Sequence, residues 1–435
     1  MRISVIGCGY LGAVHAASMA SLGHDVVGID VNQSRVSQLQ AGHAPFFEPG
    51  LPELLNDALE TGRLSFTTDF AAARGAKVHF IAVGTPQQEG TDGADMRFVN
   101  AAIDAIGPYL SDGDLVAGKS TVPVGTARVL AERIEPTGAL LAWNPEFLRE
   151  GFAIKDTLTP DRFVYGVPNG DAGGLAKILL DEVYAVALAA GTPLIVTDYE
   201  TAELVKVSAN AFLATKISFI NAMAELCDAT GADVTQLADA LGFDTRIGRR
   251  FLNAGVGFGG GCLPKDIRAF QARAEELGAG QALEFLKNVD RINLRQRDRA
   301  AQFARDALGG SVTGRRVAIL GLAFKPESDD VRDSPALTIA EALHAEGAEV
   351  RAYDPEANDT SRAKVPLLTY VDSATEAVTG ADVVLLLTEW SEFRDLDPGT
   401  VGALVNSKAI VDGRNVLDPA RWRAAGFRYY GMGRP

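Results

Sequence analysis

The fold is decided by the first thirty residues. They run Met1-Arg2-Ile3-Ser4-Val5-Ile6-Gly7-Cys8-Gly9-Tyr10-Leu11-Gly12 through an alanine-rich stretch to Asp25-Val26-Val27-Gly28-Ile29-Asp30. Ile3 to Ile6 is a short apolar run, Gly7-x-Gly9-x-x-Gly12 breaks it, helix formers continue to about Leu22, and Asp25 to Asp30 is a second apolar run ending in a carboxylate. This order predicts strand, glycine turn, helix, strand. The glycines allow a tight turn and let a pyrophosphate approach the helix N-terminus, while Asp30, 18 residues past Gly12, can hold the ribose hydroxyls of a dinucleotide. A carboxylate there repels a 2′-phosphate and so favours NAD over NADP, with Arg35 nearby as the one group that tempers the preference.

Outward from this unit, Lys77 to Val83 and Asp114 to Lys119 read as further strands, so residues 1 to about 195 form an α/β domain with a parallel sheet. Residues 199 to 230 hold neither Gly nor Pro and predict one helix from about Glu200 to Thr230 that spans between domains. Leu204, Val205, Val207, Phe212, Leu213, Ile217, Phe219 and Ile220 point in most directions, which predicts burial on nearly all sides. A more charged helix follows from about Gln281 to Leu308, then Gly309-Gly310-Ser311 punctuates the chain. From Arg316 the opening pattern returns: strand Val317 to Leu320, Gly321, a helix near Pro335 to Ala345, strand Glu349 to Asp354, and later strand Val383 to Leu387. The second turn, Gly321-Leu322-Ala323-Phe324-Lys325, lacks the dinucleotide spacing. The fold class expected is α/β, two Rossmann-like doubly wound domains joined by a long central helix: 1–198, 199–310 and 311–435.

The remaining 435-residue composition narrows the function. Hydrophobic residues make up 47%, which excludes a disordered chain, and 41 Lys+Arg against 56 Asp+Glu (net −15) argues against a bulk nucleic-acid binder while leaving room for a local anion pocket. Cys8, Cys227 and Cys262 form no disulfide framework or CxxC knuckle, and the five histidines show no ligand spacing, so a reducing cytoplasm and no metal are expected. The opening residues enter a strand directly, which predicts no signal peptide, and Val383 to Leu387 is far too short for a membrane span.

Chemistry concentrates in three places. Gly255-Val256-Gly257-Phe258-Gly259-Gly260-Gly261-Cys262-Leu263-Pro264-Lys265-Asp266 puts a cysteine in a glycine-rich loop beside charged residues, where a ligand has close backbone access and a thiolate is favoured. The alternative is a small buried residue, and Cys227, among apolar neighbours, fits that description. Lys206 and Asn210, four residues apart on the long helix, share a face, although such a lysine can simply reach solvent. Glu146 and Glu150, in Asn144-Pro145-Glu146-Phe147-Leu148-Arg149-Glu150-Gly151, come within reach of each other if that segment turns helical.

These residues, together with Gly84-Thr85-Pro86, Lys119-Ser120-Thr121-Val122-Pro123-Val124-Gly125-Thr126, Glu203 to Phe212, Gly321 to Pro335 and Asp412-Gly413-Arg414-Asn415, resemble the UDP-glucose 6-dehydrogenase branch of the nucleotide-sugar dehydrogenases over nearly the whole chain. The resemblance implies oxidation of a sugar C6 alcohol to a carboxylate with two NAD per turnover, Cys262 holding the thiohemiacetal and thioester. It implies that Lys206 and Asn210 stabilise the oxyanion, that Asp266 and Thr121 position water or move protons, and that Glu146 is the base for thioester hydrolysis. Gly7, Gly9, Tyr10, Leu11, Gly12, Asp30, Arg35, Thr85, Thr121, Glu150, Lys265 and Arg332 are implied at the dinucleotide. Glu146, Phe147, Leu148, Lys206, Asn210, Phe251, Asn253, Gly255 to Gly259, Phe324, Lys325 and Arg414 are implied at the UDP-sugar, with Lys325 and Arg414 neutralising its diphosphate. Arg246 matches an arginine that crosses from a partner subunit, so a cytoplasmic homodimer is implied, with neither nucleic acid nor membrane as partner.

Two positions depart from the family pattern: Gly261 stands where Ser is common and Leu263 where Phe is common, and Leu occurs in the GDP-mannose branch. Asp244-Thr245-Arg246-Ile247-Gly248 and Phe251-Leu252 follow the UDP-glucose pattern instead. A sister enzyme for GDP-mannose or a UDP-N-acetylhexosamine is therefore the alternative. A two-electron hydroxyacid dehydrogenase needs neither a loop cysteine nor a second nucleotide domain, and a non-catalytic NAD sensor needs no Cys262.

Overall fold

The computed structural model describes residues 1–435. The chain divides into two compact units, residues 1–209 with 268–278, and residues 210–267 with 279–435.

The first unit is built on an eight-stranded sheet of β1 (Arg2–Ile6), β2 (Asp25–Ile29), β3 (Leu64–Thr67), β4 (Val78–Ile81), β5 (Leu115–Gly118), β6 (Leu140–Trp143), β7 (Phe163–Gly166) and β8 (Leu194–Thr197), in the order β3-β2-β1-β4-β5-β6-β7-β8. Strands buried on both faces read as continuous apolar runs, because helices cover each side of a parallel sheet. Ile3 and Val5 of β1 join a core with Val14, Met19 and Phe80 on one face. Ile6 joins Ile81, Ile103, Val116 and Trp143 on the other, as the two-residue alternation of a strand requires. The sheet departs from the all-parallel expectation at one place: β6 and β7 pair antiparallel through Trp143 and Gly166. The strand order reverses between β1 and β4, which opens a crevice at the carboxyl ends of those strands.

The second unit repeats the plan with β9 (Arg316–Leu320), β10 (Glu349–Tyr353), β11 (Thr369–Tyr370), β12 (Val383–Leu386), β13 (Ala409–Asp412) and β14 (Arg428–Gly431), ordered β11-β10-β9-β12-β13-β14 and parallel throughout. Val317 and Ile319 enter one core and Ala318 and Leu320 the other.

The long helix runs over Tyr199–Thr230, within a residue of the sequence reading. Burial on nearly all of its sides is not found: Phe212 is 67% exposed, Leu226 58% and Phe219 49%. Its packed side is lined mostly by small residues, Ala202, Ala211, Ala214 and Ala224, which let neighbouring backbone approach closely and leave the large apolar side chains on the opposite side of a single chain. The charged helix begins later than expected, Phe285–Ala307, after a 3-10 turn Gly280–Leu283.

Candidate active site

The glycine fingerprint of the first unit has three different jobs. Gly7 turns the chain at φ +90°, and a Cβ there would lie 2.7 Å from Val83 Cγ1. At Gly12 a Cβ would meet the Gly7 carbonyl oxygen at 1.8 Å, so this glycine lets the helix Tyr10–Ser21 close on its own strand. Gly9 faces open space, with nothing within 4 Å of a built Cβ, and no side chain caps the N-terminus of that helix. Uncapped N–H groups beside an open glycine are a seat for a pyrophosphate, so the residues fit a dinucleotide. Asp30, nearly buried, accepts from Cys8 N (2.8 Å), Asn32 N (2.9 Å) and Arg35 Nη1 (2.9 Å). Burial and the adjacent Asp30 carboxylate push the Cys8 thiol far above its ordinary range, so it packs as an apolar residue.

Residues 144–149, which follow β6, are not helical, so helical spacing does not bring Glu146 to Glu150. Glu146 instead accepts from Lys206 Nζ at 3.0 Å and from Leu148 N at 2.8 Å, and the Lys206 ammonium lies 5.7 Å from the Phe147 ring centroid. Lys206 does not reach out to solvent: its side chain is 7% exposed. Thr85 donates its hydroxyl to the Thr121 carbonyl at 2.7 Å, fixing those two loops to each other.

Several groups here were given no role in the sequence reading. Lys119, at the end of β5, is buried and donates to Asn144 Oδ1 (3.1 Å) and Tyr184 OH (3.2 Å), which holds the start of the Glu146 loop. Burial lowers its ammonium to about 8, with Glu146 opposing the shift. Lys119, Glu146, Leu11 and the buried His15 line one cleft. Glu203, one turn before Lys206, is buried and accepts from Gly125 N and Ala127 N, both at 2.6 Å, so it caps the helix Thr126–Ile134. Glu48 anchors Gly151, next to Glu150, with bonds of 2.6 Å from Gly151 N and 2.7 Å from Ala153 N. Lys119 and Glu203 each head a motif that carries the family resemblance, but nothing in the sequence marked their buried bonds.

In the second unit Cys262 is exposed, whereas Cys8 and Cys227 are buried. It stands immediately before the helix Leu263–Glu276, where a helix N-terminus favours negative charge. Asp266, in the first turn, accepts from Asn210 Nδ2 at 2.7 Å and Lys265 Nζ at 2.5 Å, which joins three of the expected residues. The glycine loop before Cys262 is cradled tightly: Gly260 N donates to the Arg332 carbonyl at 2.8 Å, and a Cβ at Gly261 would strike the Arg332 guanidinium at 2.2 Å. The atoms met are the end of a flexible, exposed arginine, so a side chain at 261 would displace the guanidinium rather than the loop backbone. Asn293 holds Phe258 through both N–H (2.7 Å) and carbonyl (3.0 Å).

Arg414 reaches three carbonyls, Leu387 (2.7 Å), Gly257 (3.0 Å) and Phe324 (3.1 Å), and lies 3.3 Å from Glu389. It therefore joins the glycine loop to the Phe324-Lys325 turn, and the Lys325 ammonium sits 5.6 Å from the Phe324 ring centroid. Asn253 accepts from Arg249 at 2.8 Å, and Phe251 adopts φ +66°, a strained conformation for an aromatic residue. The Arg246 side chain is 87% exposed and paired only locally with Asp244, at 2.6 Å. Asp354, at the end of β10, occupies the place of Asp30: it accepts from Leu322 N (2.7 Å), as Asp30 does from Cys8 N. Its third side is closed by the buried Trp390, whose Nε1 donates at 3.2 Å. No group of His, Cys, Asp and Glu side chains able to hold a metal occurs, and no helix is long and apolar enough to cross a membrane.

A dinucleotide fingerprint on one Rossmann sheet and a cysteine loop packed against a second define an oxidoreductase architecture with two nucleotide-type domains. Comparison with known proteins agrees: residues 1–187 match the NAD binding domain, residues 200–295 the central domain and residues 318–419 the UDP binding domain of a single family. The chain belongs to the UDP-glucose/GDP-mannose dehydrogenase family. It is 40% identical over 440 residues to UDP-glucose 6-dehydrogenase of Rhizobium meliloti, covering 100% of both chains. It is 42% identical over 451 residues to UDP-glucose 6-dehydrogenase of Pseudomonas aeruginosa, covering 100% of this chain and 98% of that one. Among solved structures it resembles a UDP-glucose dehydrogenase from the archaeon Pyrobaculum islandicum, with TM-score 0.90, 40% identity, and coverage of 100% and 98%.

Proposed function

We propose that the protein is an NAD-dependent UDP-glucose 6-dehydrogenase that carries out two successive oxidations at C6 and releases UDP-glucuronate. The observation that carries this reading is Cys262, an exposed cysteine at a helix N-terminus within a cradled glycine loop, while the other two cysteines are buried. Two NAD per turnover supply the hydride acceptors. Cys262 adds to the aldehyde produced by the first oxidation; the resulting thiohemiacetal is oxidised to a thioester, and water cleaves the thioester to the acid. Covalent capture prevents escape of the aldehyde. Lys206 and Asn210 supply a cation and an amide for the developing oxyanion, and their own partners, Glu146 and Asp266, keep both side chains oriented. Glu146 is the base for hydrolysis, and Thr121 and Asp266 order the water.

The labour is divided over 1–198 for the dinucleotide, 199–310 for the dimer helix and cysteine loop, and 311–435 for the UDP-sugar. The exposed Phe212, Phe219 and Leu226 on the long helix support a homodimer, with Arg246 reaching the partner's site, and the reaction belongs to the cytoplasm. The test is NADH yield at completion with limiting UDP-glucose, GDP-mannose and UDP-N-acetylmannosamine in parallel. About two NADH per UDP-glucose alone is expected; two from either other nucleotide alone would move the substrate, and one from each would remove the thioester route. Cys262→Ser is expected to stop after the first oxidation.

A further inference from the structure

Glu48 belongs to none of the motifs that mark the dinucleotide or the sugar nucleotide, yet it sits at the joint of two of them. Its carboxylate is buried, and it accepts from Gly151 N at 2.6 Å and Ala153 N at 2.7 Å, the two ends of the turn that closes the Glu146–Glu150 loop. It also accepts the hydroxyl of Tyr10, the residue between Gly9 and Leu11 of the fingerprint. Tyr10 OH in turn accepts from Gly151 N at 3.0 Å, and its ring packs on Phe46 with centroids 4.9 Å apart. Burial, and then the bond to Glu48, push the phenol far above its ordinary range, so Tyr10 remains a donor throughout the working pH range.

Tyr10 is the first residue of the helix whose unsatisfied N–H groups face the pyrophosphate seat. Fixing that turn by a bound ligand fixes the Tyr10 side chain, and the side chain is bonded to the loop that carries Glu146. The other end of the same loop is already rigid through Asn144, Lys119 and Tyr184. The opposite end is held partly by Arg149, which bonds Asp156 through its N–H (2.9 Å) and guanidinium (2.7 and 2.8 Å), and partly by the Glu48 and Tyr10 bonds that tie it to the fingerprint.

We infer that Glu48 is a positioning residue that, through Tyr10, makes the setting of the Glu146–Glu150 loop depend on dinucleotide occupancy. This rests on the reading of the first unit as the NAD site. It gives the order of events a physical basis: the loop bearing the hydrolytic base is ordered when the dinucleotide is in place.

The experiment uses NADH as probe on the full-length protein, with occupancy read from its fluorescence, and amide hydrogen exchange over residues 146–153. In the wild type, saturating NADH is expected to slow exchange about fivefold or more. In Glu48→Gln, and independently in Tyr10→Phe, which keeps the ring on Phe46, the slowing at matched occupancy is expected to shrink to below about twofold. Direct shielding of Glu150 by the ligand persists in both variants, so the comparison isolates the relay. Unaltered slowing in both variants, or none in the wild type, overturns the inference. Exchange over 2–6 in β1 serves as the control that a merely loosened fold would also move. Turnover of UDP-glucose is measured separately: its absence with the relay intact would remove the functional reading and leave this one standing.

Discussion

Glu203→Gln tests how a buried carboxylate is carried next to the proposed oxyanion lysine. Glu203 is 2% exposed, and burial raises its carboxyl from 4.5 to about 7 against the opposing effect of its bonds to Gly125 N and Ala127 N. Because the folded value lies above the unfolded one, the native state holds the proton longer. The stabilising contribution is fully present below pH 4.5 and is lost as the pH rises through 7. At 1.36 kcal/mol per pH unit the change across that window is about 3 kcal/mol. Glutamine keeps the shape and one acceptor without ionising, so it removes this slope. For a unit of about 220 residues, 3 kcal/mol corresponds to roughly 6 °C in Tm. Thermal unfolding of both proteins at pH 5, 6, 7 and 8 is therefore expected to show the variant gaining roughly 6 °C relative to wild type between the ends of the series. A difference that stays flat, or that moves against the variant as pH rises, would refute the reasoning: the two helix-capping N–H bonds would then outweigh desolvation and hold Glu203 ionised in the fold.

Asp30→Ser should remove the repulsion of a 2′-phosphate and release Arg35, now 2.9 Å from Asp30, to pair with one. A charge-assisted bond of roughly 1.5–3 kcal/mol predicts a ten- to hundredfold rise in the NADP-to-NAD ratio of kcat/KM, and an unchanged ratio would show that the carboxylate does not set the preference. Arg414→Lys cannot span the carbonyls of Leu387, Gly257 and Phe324 at once. KM for UDP-glucose is expected to rise about tenfold or more with KM for NAD little changed, and equal rises in both would make Arg414 a general structural clamp.

What could be read in the sequence was what depends on neighbours in the chain. The fingerprint, the return of the strand pattern at Arg316 and the unbroken helix to Thr230 all follow from local spacing, and the structure places them within a residue or two. Lys206 and Asn210 were visible as a helical pair, but their partners Glu146 and Asp266 lie 60 and 56 residues away and leave no trace in periodicity. Glu48 was missed for the same reason, since its bonds to Gly151 and Ala153 span more than a hundred residues. The exposure of Phe212 and Phe219 was misjudged because an apolar count around a helix does not tell which side is packed by alanines. The departure at Gly261 has no structural explanation, since the only group a side chain there would meet is the movable tip of Arg332.

Trp390 marks a difference between the two copies of one scaffold. NAD and a UDP-sugar share a ribose and a diphosphate, and both sheets end in a carboxylate at the same place, Asp30 and Asp354. Next to Asp30 stands a half-exposed arginine that can step aside; next to Asp354 an indole is locked in position, 5% exposed. In the second unit Asp354 is thereby engaged by a fixed ring as well as by the Leu322 and Ala323 N–H groups, whereas Asp30 faces a side chain free to rearrange. Two sheets of one plan thus differ, at the same carboxylate, in whether its side-chain neighbour can move.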